Sequence, residues 1–380
     1  MTIKGMREIF IITGESSGDQ HASKYVEEHR LLNKNVSFSG IGQESMENVD
    51  VTLIHNSEDI AVVGLTEVIF KFKKIKHVLG LAKKYIKDKK PALVILVDYV
   101  EFNLKIAEYA KSLGIPTLFY IAPQVWAWRE NRINNIVKTV DHLAVVFPFE
   151  YDIFSRVSDN VTFVGHPLAD DDELIPSGIH YQDKKYDLGI FPGSRESEIK
   201  NNIYTMLDCI KPSKDNDGNR KNIKIFYSNG KAKELLKKML PENMHTLLIS
   251  GKNRKEIKMC KKAITASGTI TLELALMGIP MVIVYRLSTL TYLIMKRLVK
   301  LKYIGLVNLV LGDNLGDEMV VKEYIQPKYH DQIEIMAELD RIDNDADYRQ
   351  EISKKYVRIR DGLKPGAAKN LALIADKLIS

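Results

Sequence analysis

The stretch 262–286, KAITASGTITLELALMGIPMVIVYR, constrains the fold more than any other. Residues 263–266 are short and apolar enough for the end of a buried strand. Ser267-Gly268-Thr269 is a tight turn with two hydroxyls, 270–277 follows a helical period, and Gly278 with Pro280 supplies a stop. Residues 281–285 read as the next buried strand. A strand feeding a small-residue turn and a helix start makes an anion site, because backbone N–H groups and the positive end of the helix dipole meet there. Glu273, one turn further in, is placed to accept the two hydroxyls of a ribose. An acid near a helix N-terminus is also favourable with no ligand, so this stretch alone leaves both readings open.

The pattern recurs along the chain. Residues 8–13 (EIFIIT) form a strand, Gly14 to Asp19 a turn, and 20–32 a helix. The turn lacks the GxGxxG spacing of a dinucleotide site. Its acids Glu15 and Asp19, with Ser17 and His21, suit a neutral polyol or a catalytic carboxyl better than a phosphate. A turn capped by its own side chains is the plain structural alternative. Residues 91–97 (PALVILV) read as a central parallel strand ending at Asp98, where such sheets bind ligands. Asp98 is therefore the candidate general base, with Asn103 beside it. Strands at 36–39, 51–54, 117–121, 143–147 and 161–164 bring the first sheet to about seven. The segment 122–129 (APQVWAWR) holds both tryptophans, and Trp126 with Arg129 suggests a wall for an apolar or sugar-ring ligand.

The polar segment 168–185 reads as a linker. A second strand–helix series then begins at 187–191, followed by Pro192-Gly193-Ser194-Arg195-Glu196 and a helix to about 210. Arg195, beside Ser194 at a helix start, is a plausible diphosphate clamp, since guanidinium matches phosphate oxygens in pairs. Strands at 223–227 and 246–249 lead to the opening stretch, 320–326 carries Glu323 and Gln326, and three helices run from 330 to the end. The expectation is a first domain over 1–170, a second over 186–345, and C-terminal helices over 346–380 returning toward the first.

Two cysteines far apart, Cys209 and Cys260, exclude a disulfide scaffold and a CxxC zinc site and fit a reducing cytosol. Asp215-Asn216-Asp217-Gly218 resembles part of a calcium loop, but the closing position is Lys224 where that loop needs Glu. No metal, cofactor or nucleic-acid partner is expected. No apolar run approaches the roughly 18 residues of a membrane span, and no signal peptide is visible. Charge is nonetheless unevenly spread. Residues 60–90 hold nine lysines and two acids among Val, Leu, Ile and Phe, and 286–311 sets Lys296, Arg297, Lys300 and Lys302 among apolar residues. Two such segments point to an anionic membrane surface, against the alternative of amphipathic helices with solvated lysines.

GESSGDQH, LVDYVEFN, APQVWAWR, FVGHP, FPGSR, ASGTITLELALMGIPMVIVYR and the Glu323/Gln326 region occur in an order and spacing similar to the lipid-A-disaccharide synthases. The resemblance covers nearly the whole chain, with Val100 where the family has proline. It implies an inverting glycosyltransferase of the GT-B fold: an α/β protein of two Rossmann-like parallel-sheet domains, a cleft between them, and a C-terminal helical segment packing back on the first. The reaction implied is transfer of 2,3-diacylglucosamine from UDP-2,3-diacylglucosamine to the 6-hydroxyl of 2,3-diacylglucosamine 1-phosphate, giving a β-1,6 disaccharide and UDP. Asp98 would be the base, with Glu15, Ser17, Asp19 and His21 lining the site. Arg195, Ser194, Ser267, Gly268, Thr269, Glu273, Arg286, Glu323 and Gln326 would hold the donor. The resemblance also implies a peripheral protein on the inner face of the cytoplasmic membrane, and allows a homodimer. The rivals are a UDP-aminosugar 2-epimerase, an undecaprenyl-linked N-acetylglucosaminyltransferase, which would carry a Gly-Gly-x-Gly-Gly turn near its start, and a non-catalytic UDP-binding membrane adaptor.

Overall fold

The computed structural model describes residues 6–60, 65–122, 132–209, 222–287, 302–311 and 318–380. The chain forms two compact units, 1–170 with 363–380, and 171–362.

In the first unit seven strands are β1 (Arg7–Thr13), β2 (Val36–Gly42), β3 (Thr52–Asn56), β4 (Leu93–Val97), β5 (Thr117–Tyr120), β6 (His142–Val145) and β7 (Val161–Phe163). All pair in parallel, in the order β3-β2-β1-β4-β5-β6-β7. The strand order reverses direction between β1 and β4, so the crevice beyond their C-terminal ends is the ligand position of such a sheet. β4 is central because LVILV is apolar throughout, and all five residues are buried. Helix Leu65–Lys89 covers one face with Val78, Ala82 and Ile86, whose spacing of about one turn builds a single apolar stripe.

Six parallel strands form the sheet of the second unit: β8 (Leu188–Phe191), β9 (Ile223–Tyr227), β10 (Leu248–Ser250), β11 (Ala263–Thr265), β12 (Met281–Tyr285) and β13 (Glu323–Ile325). Their order is β10-β9-β8-β11-β12-β13, so β8 and β11 are the switch-point pair.

Two expected boundaries move. Residues 171–185, read as linker, belong to the second unit, because Leu174 and Tyr186 are buried there. Helix Ala346–Leu363 stays with the second unit up to 362, where Ile352, Tyr356 and Ile359 are buried and the Tyr356 hydroxyl donates to Ile279 O (3.2 Å). Only helix Ala367–Ile379 joins the first unit. Asp170 caps it, accepting from Gly366 N–H (2.5 Å) and Ala367 N–H (3.0 Å), and Leu371, Ala372 and Ala375 are fully buried.

Candidate functional site

In the second unit, the C-terminal ends of β8, β9, β10, β11 and β12 surround a cavity of about 440 Å³. Among its lining residues are Ser194, Arg195, Ser267, Gly268, Thr269 and Glu273. Six of the residues singled out from the sequence thus meet in one place. β11 and β8 lie side by side, with Ala266 N–H donating to Phe191 O (2.8 Å), and this brings their two exit turns together. Gly268 has φ +151°, which side chains rarely adopt, and this lets the turn pass from β11 into helix Ile270–Leu276. The Ser267 hydroxyl donates to Ile304 O (2.8 Å) and fixes the turn's outer edge.

Glu273 is half-buried, and burial raises its carboxyl above the usual range; the Arg254 guanidinium opposes that shift. Arg254 Nη1 forms an ion pair with Glu273 Oε2. Charge and hydrogen bonding from Arg254 both favour the ionised carboxylate, so Arg254 is its partner within the protein. Ser228, which also lines the cavity, has a buried hydroxyl with no hydrogen-bond partner among the described residues. Arg254 and Ser228 escaped the sequence reading, although each stands where a strand runs into a helix, β10 into Arg254–Lys258 and β9 into Gly230–Met239.

In the first unit the matching exits are Thr13-Gly14-Glu15 after β1 and Val97-Asp98-Tyr99 after β4, with Thr13 and Val97 in register. They approach closely: a Cβ on Gly14 would come within 2.4 Å of Tyr99 Cγ, so only glycine fits. Asp98 and Tyr99 are both left-handed (φ 51° and 45°). The Asn103 amide holds that turn, donating to Val97 O (3.2 Å) and Asp98 O (2.7 Å). Burial raises the Asp98 carboxyl, and a hydrogen bond from the Tyr99 backbone partly offsets it. Burial also raises the Tyr99 phenol, with a further push from the charge of Glu15, which places Glu15 beside this turn. Glu15 and Ser17 are exposed.

A scan of protein families matches residues 9–376 to the lipid-A-disaccharide synthetase family. The chain belongs to this family. It is 36% identical over 368 residues to the lipid-A-disaccharide synthase of Geobacter metallireducens, covering 95% of this chain and 94% of that protein. It is 34% identical over 380 residues to the synthase of Coxiella burnetii, covering 98% and 99%. Among solved structures it is similar to the UDP-GlcNAc 2-epimerase of Neisseria meningitidis bound to UDP-GlcNAc (TM-score 0.60, 12% identity). It is also similar to MurG of Acinetobacter baumannii (TM-score 0.56, 15% identity), each match covering 98% of this chain and 99% of the other. These structures share the two-sheet GT-B fold, and membership of the lipid-A-disaccharide synthase family makes the chain a glycosyltransferase.

Several residues expected from the sequence to meet substrate make contacts within the protein in this synthase-family fold. Helix Ser16–Leu32 starts four residues earlier than expected, so Ser17 and Asp19 lie in its first turn. Asp19 is buried there, accepting from the N–H groups of Gln43 (2.6 Å) and Ser45 (2.8 Å), and so ties down the loop after β2. Asn103 is wholly buried, and its contacts are with backbone. His21 is half-buried and burial holds its imidazole down to about 4, leaving it neutral at pH 7. Glu323 accepts from Ile304 N–H (2.9 Å), Gly305 N–H (2.9 Å) and Asn308 Nδ2 (2.7 Å), which makes it a strut for 302–311. Arg286 turns to Thr205 Oγ1 (3.1 Å), and the Gln326 amide donates to Leu287 O (2.8 Å); neither lines the cavity. Trp126 and Arg129, the 213–218 loop and most of 286–311 lie outside the described residues.

Proposed function

We propose that the cavity of the second unit holds the UDP of a UDP-2,3-diacylglucosamine donor, and that Asp98 deprotonates the 6-hydroxyl of 2,3-diacylglucosamine 1-phosphate. The reaction is that of the lipid-A-disaccharide synthases. The observation that carries the donor site is the cavity itself, which brings Glu273 together with Arg195 and the Ser-Gly-Thr turn. A ribose supplies two hydroxyl donors to such a carboxylate. The diphosphate then meets the Ser267-Gly268-Thr269 backbone and the Arg195 guanidinium, which stabilise the charge developing on UDP as it leaves.

In a one-step inverting displacement the acceptor oxygen attacks the anomeric carbon opposite the diphosphate. The bond from that carbon to the diphosphate oxygen breaks, and the hydroxyl proton passes to Asp98. Burial of Asp98 supports the assignment, because a raised carboxyl is a stronger base at neutral pH. Glu15 and Ser17, exposed at the neighbouring exit, would contact the acceptor sugar.

Among the described residues no helix is long and apolar enough to cross a membrane. The acylated substrates are reached instead from helix Leu65–Lys89. Its buried stripe packs on the sheet, while Lys73, Lys74, Lys76, Lys84 and Lys87 are exposed and Phe72 is 60% exposed beside them. A bare aromatic in a lysine field suits an anionic lipid surface and sets this chain apart from an epimerase of soluble sugars. A homodimer belongs to the same proposal, and sedimentation in detergent decides it.

Titration with UDP and 2′-deoxy-UDP tests the donor site. Glu273→Ala is expected to weaken UDP by about tenfold or more and to abolish the preference for the ribose. Unchanged UDP affinity in the variant would refute the assignment.

A further inference from the structure

Glu198 stands where a diphosphate site has least use for an acid. It lines the cavity beside Ser194 and Arg195, in the first turn of helix Glu196–Asp208. Its charge is already engaged. Oε2 accepts from Ser194 N–H (3.0 Å), Arg195 N–H (3.2 Å) and the Ser194 hydroxyl (3.5 Å), and Oε1 accepts from Arg195 Nη1 (3.1 Å). Gly193, with φ +120°, wraps the turn around this carboxylate: a Cβ there would lie 2.7 Å from Glu198 Cβ and 2.9 Å from Oε2. Across the cavity, burial and then the charge of Glu198 raise the Tyr285 phenol, so that ring faces the same group.

The consequence concerns where an anion can sit. The two successive N–H groups after β8 form the kind of nest that receives phosphate in many α/β proteins. Here the protein's own carboxylate fills it. A guanidinium carries five N–H donors and Glu198 takes one from the Arg195 side chain, which is 60% exposed. The remaining donors are left for a ligand.

We propose that Glu198 is a positioning residue for the donor diphosphate. It blocks the nest of the 193–195 turn and aims the Arg195 guanidinium, so that the diphosphate is received at the Ser267-Gly268-Thr269 turn. The proposal rests on the UDP reading given above. A capping acid that merely stabilises its helix would do neither.

The test compares uridine with UDP, each titrated into the wild type, Glu198→Gln, Glu198→Ala, Arg195→Ala and the double variant Arg195→Ala/Glu198→Ala. Glu198→Ala is expected to weaken UDP about tenfold or more while uridine changes by less than about twofold. The double variant is expected to bind UDP no more weakly than Arg195→Ala, because the acid acts through the arginine. Should Glu198→Ala not fold, Glu198→Gln, which keeps the side chain's size and one acceptor, carries the same comparison. Equal weakening of UDP and uridine would reduce Glu198 to a helix cap, and unchanged or tighter UDP binding would make it no more than a repulsive neighbour. Either result overturns the proposal. Wild-type protein that binds neither ligand refutes the UDP reading itself, a separate failure.

Discussion

Asn103→Ala isolates how the turn bearing Asp98 is held. Asp98 and Tyr99 are consecutive left-handed residues, each costing roughly 1–2 kcal/mol relative to ordinary backbone. The turn persists because Asp98 N–H donates to Tyr120 O (3.1 Å), the Tyr99 hydroxyl to Ile60 O (2.9 Å), and Asn103 Nδ2 to two carbonyls. Removing the amide deletes two hydrogen bonds of about 1 kcal/mol each and leaves the Val97 and Asp98 carbonyls short of a donor. Alanine's better helix propensity returns roughly half a kcal/mol. Urea unfolding should therefore show a loss of about 2–4 kcal/mol. A relaxed turn also displaces the Asp98 carboxylate, and a shift of about 1 Å at a catalytic group costs on the order of a hundredfold in rate. Steady-state kinetics should show that fall in kcat, while UDP affinity, which belongs to the other unit, stays at its wild-type value. A variant with wild-type stability and kcat would refute the reasoning, as would one that loses UDP binding in step with kcat.

Other consequences follow from burial and charge. Burial holds the His166 imidazole down to about 3, and His21 to about 4, whereas both take up protons near pH 6.5 once unfolded. The unfolded state then binds more protons, so stability present above pH 6.5 is lost as pH falls through the folded values, by about 1.4 kcal/mol per pH unit for a wholly buried histidine. His166→Gln should flatten that slope in urea titrations between pH 6.5 and 4. Since burial raises the Asp98 carboxyl, the acid limb of kcat/KM should lie above the ordinary aspartate range, and a limb at the free value would contradict the base assignment. Phe72→Ser with Lys73→Glu and Lys76→Glu should release the protein from anionic vesicles at physiological salt and leave UDP affinity unchanged; retention would move the lipid contact elsewhere. A Cβ on Gly165, at φ +95°, would meet Lys364 O at 2.5 Å, so Gly165→Ala should destabilise the first unit by about 2 kcal/mol or more in urea.

The strand–turn–helix alternation was legible from the residues because parallel strands buried on both faces, such as LVILV, are apolar without interruption. It led to the cavity wall at Arg195, Ser267, Gly268, Thr269 and Glu273, since these stand at strand exits where local sequence sets the geometry. The contacts that hold Asp19, Asn103 and Glu323 were not legible in the sequence. Only the packed structure shows what holds each: the Gln43 and Ser45 N–H groups for Asp19, the Val97 and Asp98 carbonyls for Asn103, and Ile304, Gly305 and Asn308 for Glu323. Arg254 and Ser228 were missed. Ser228 follows β9 before helix Gly230–Met239 and Arg254 opens helix Arg254–Lys258 after β10, and no sequence spacing relates these exits to β11.

The central claim is most directly tested by following UDP release from UDP-2,3-diacylglucosamine with and without 2,3-diacylglucosamine 1-phosphate, in detergent, for wild type and Asp98→Ala. The account predicts acceptor-dependent UDP and a β-1,6 disaccharide from the wild type, with both lost in Asp98→Ala while UDP still binds. Full turnover by Asp98→Ala would contradict the assigned base. A wild type inert toward this pair but active on UDP-N-acetylglucosamine would contradict the lipid substrates and leave only the fold standing.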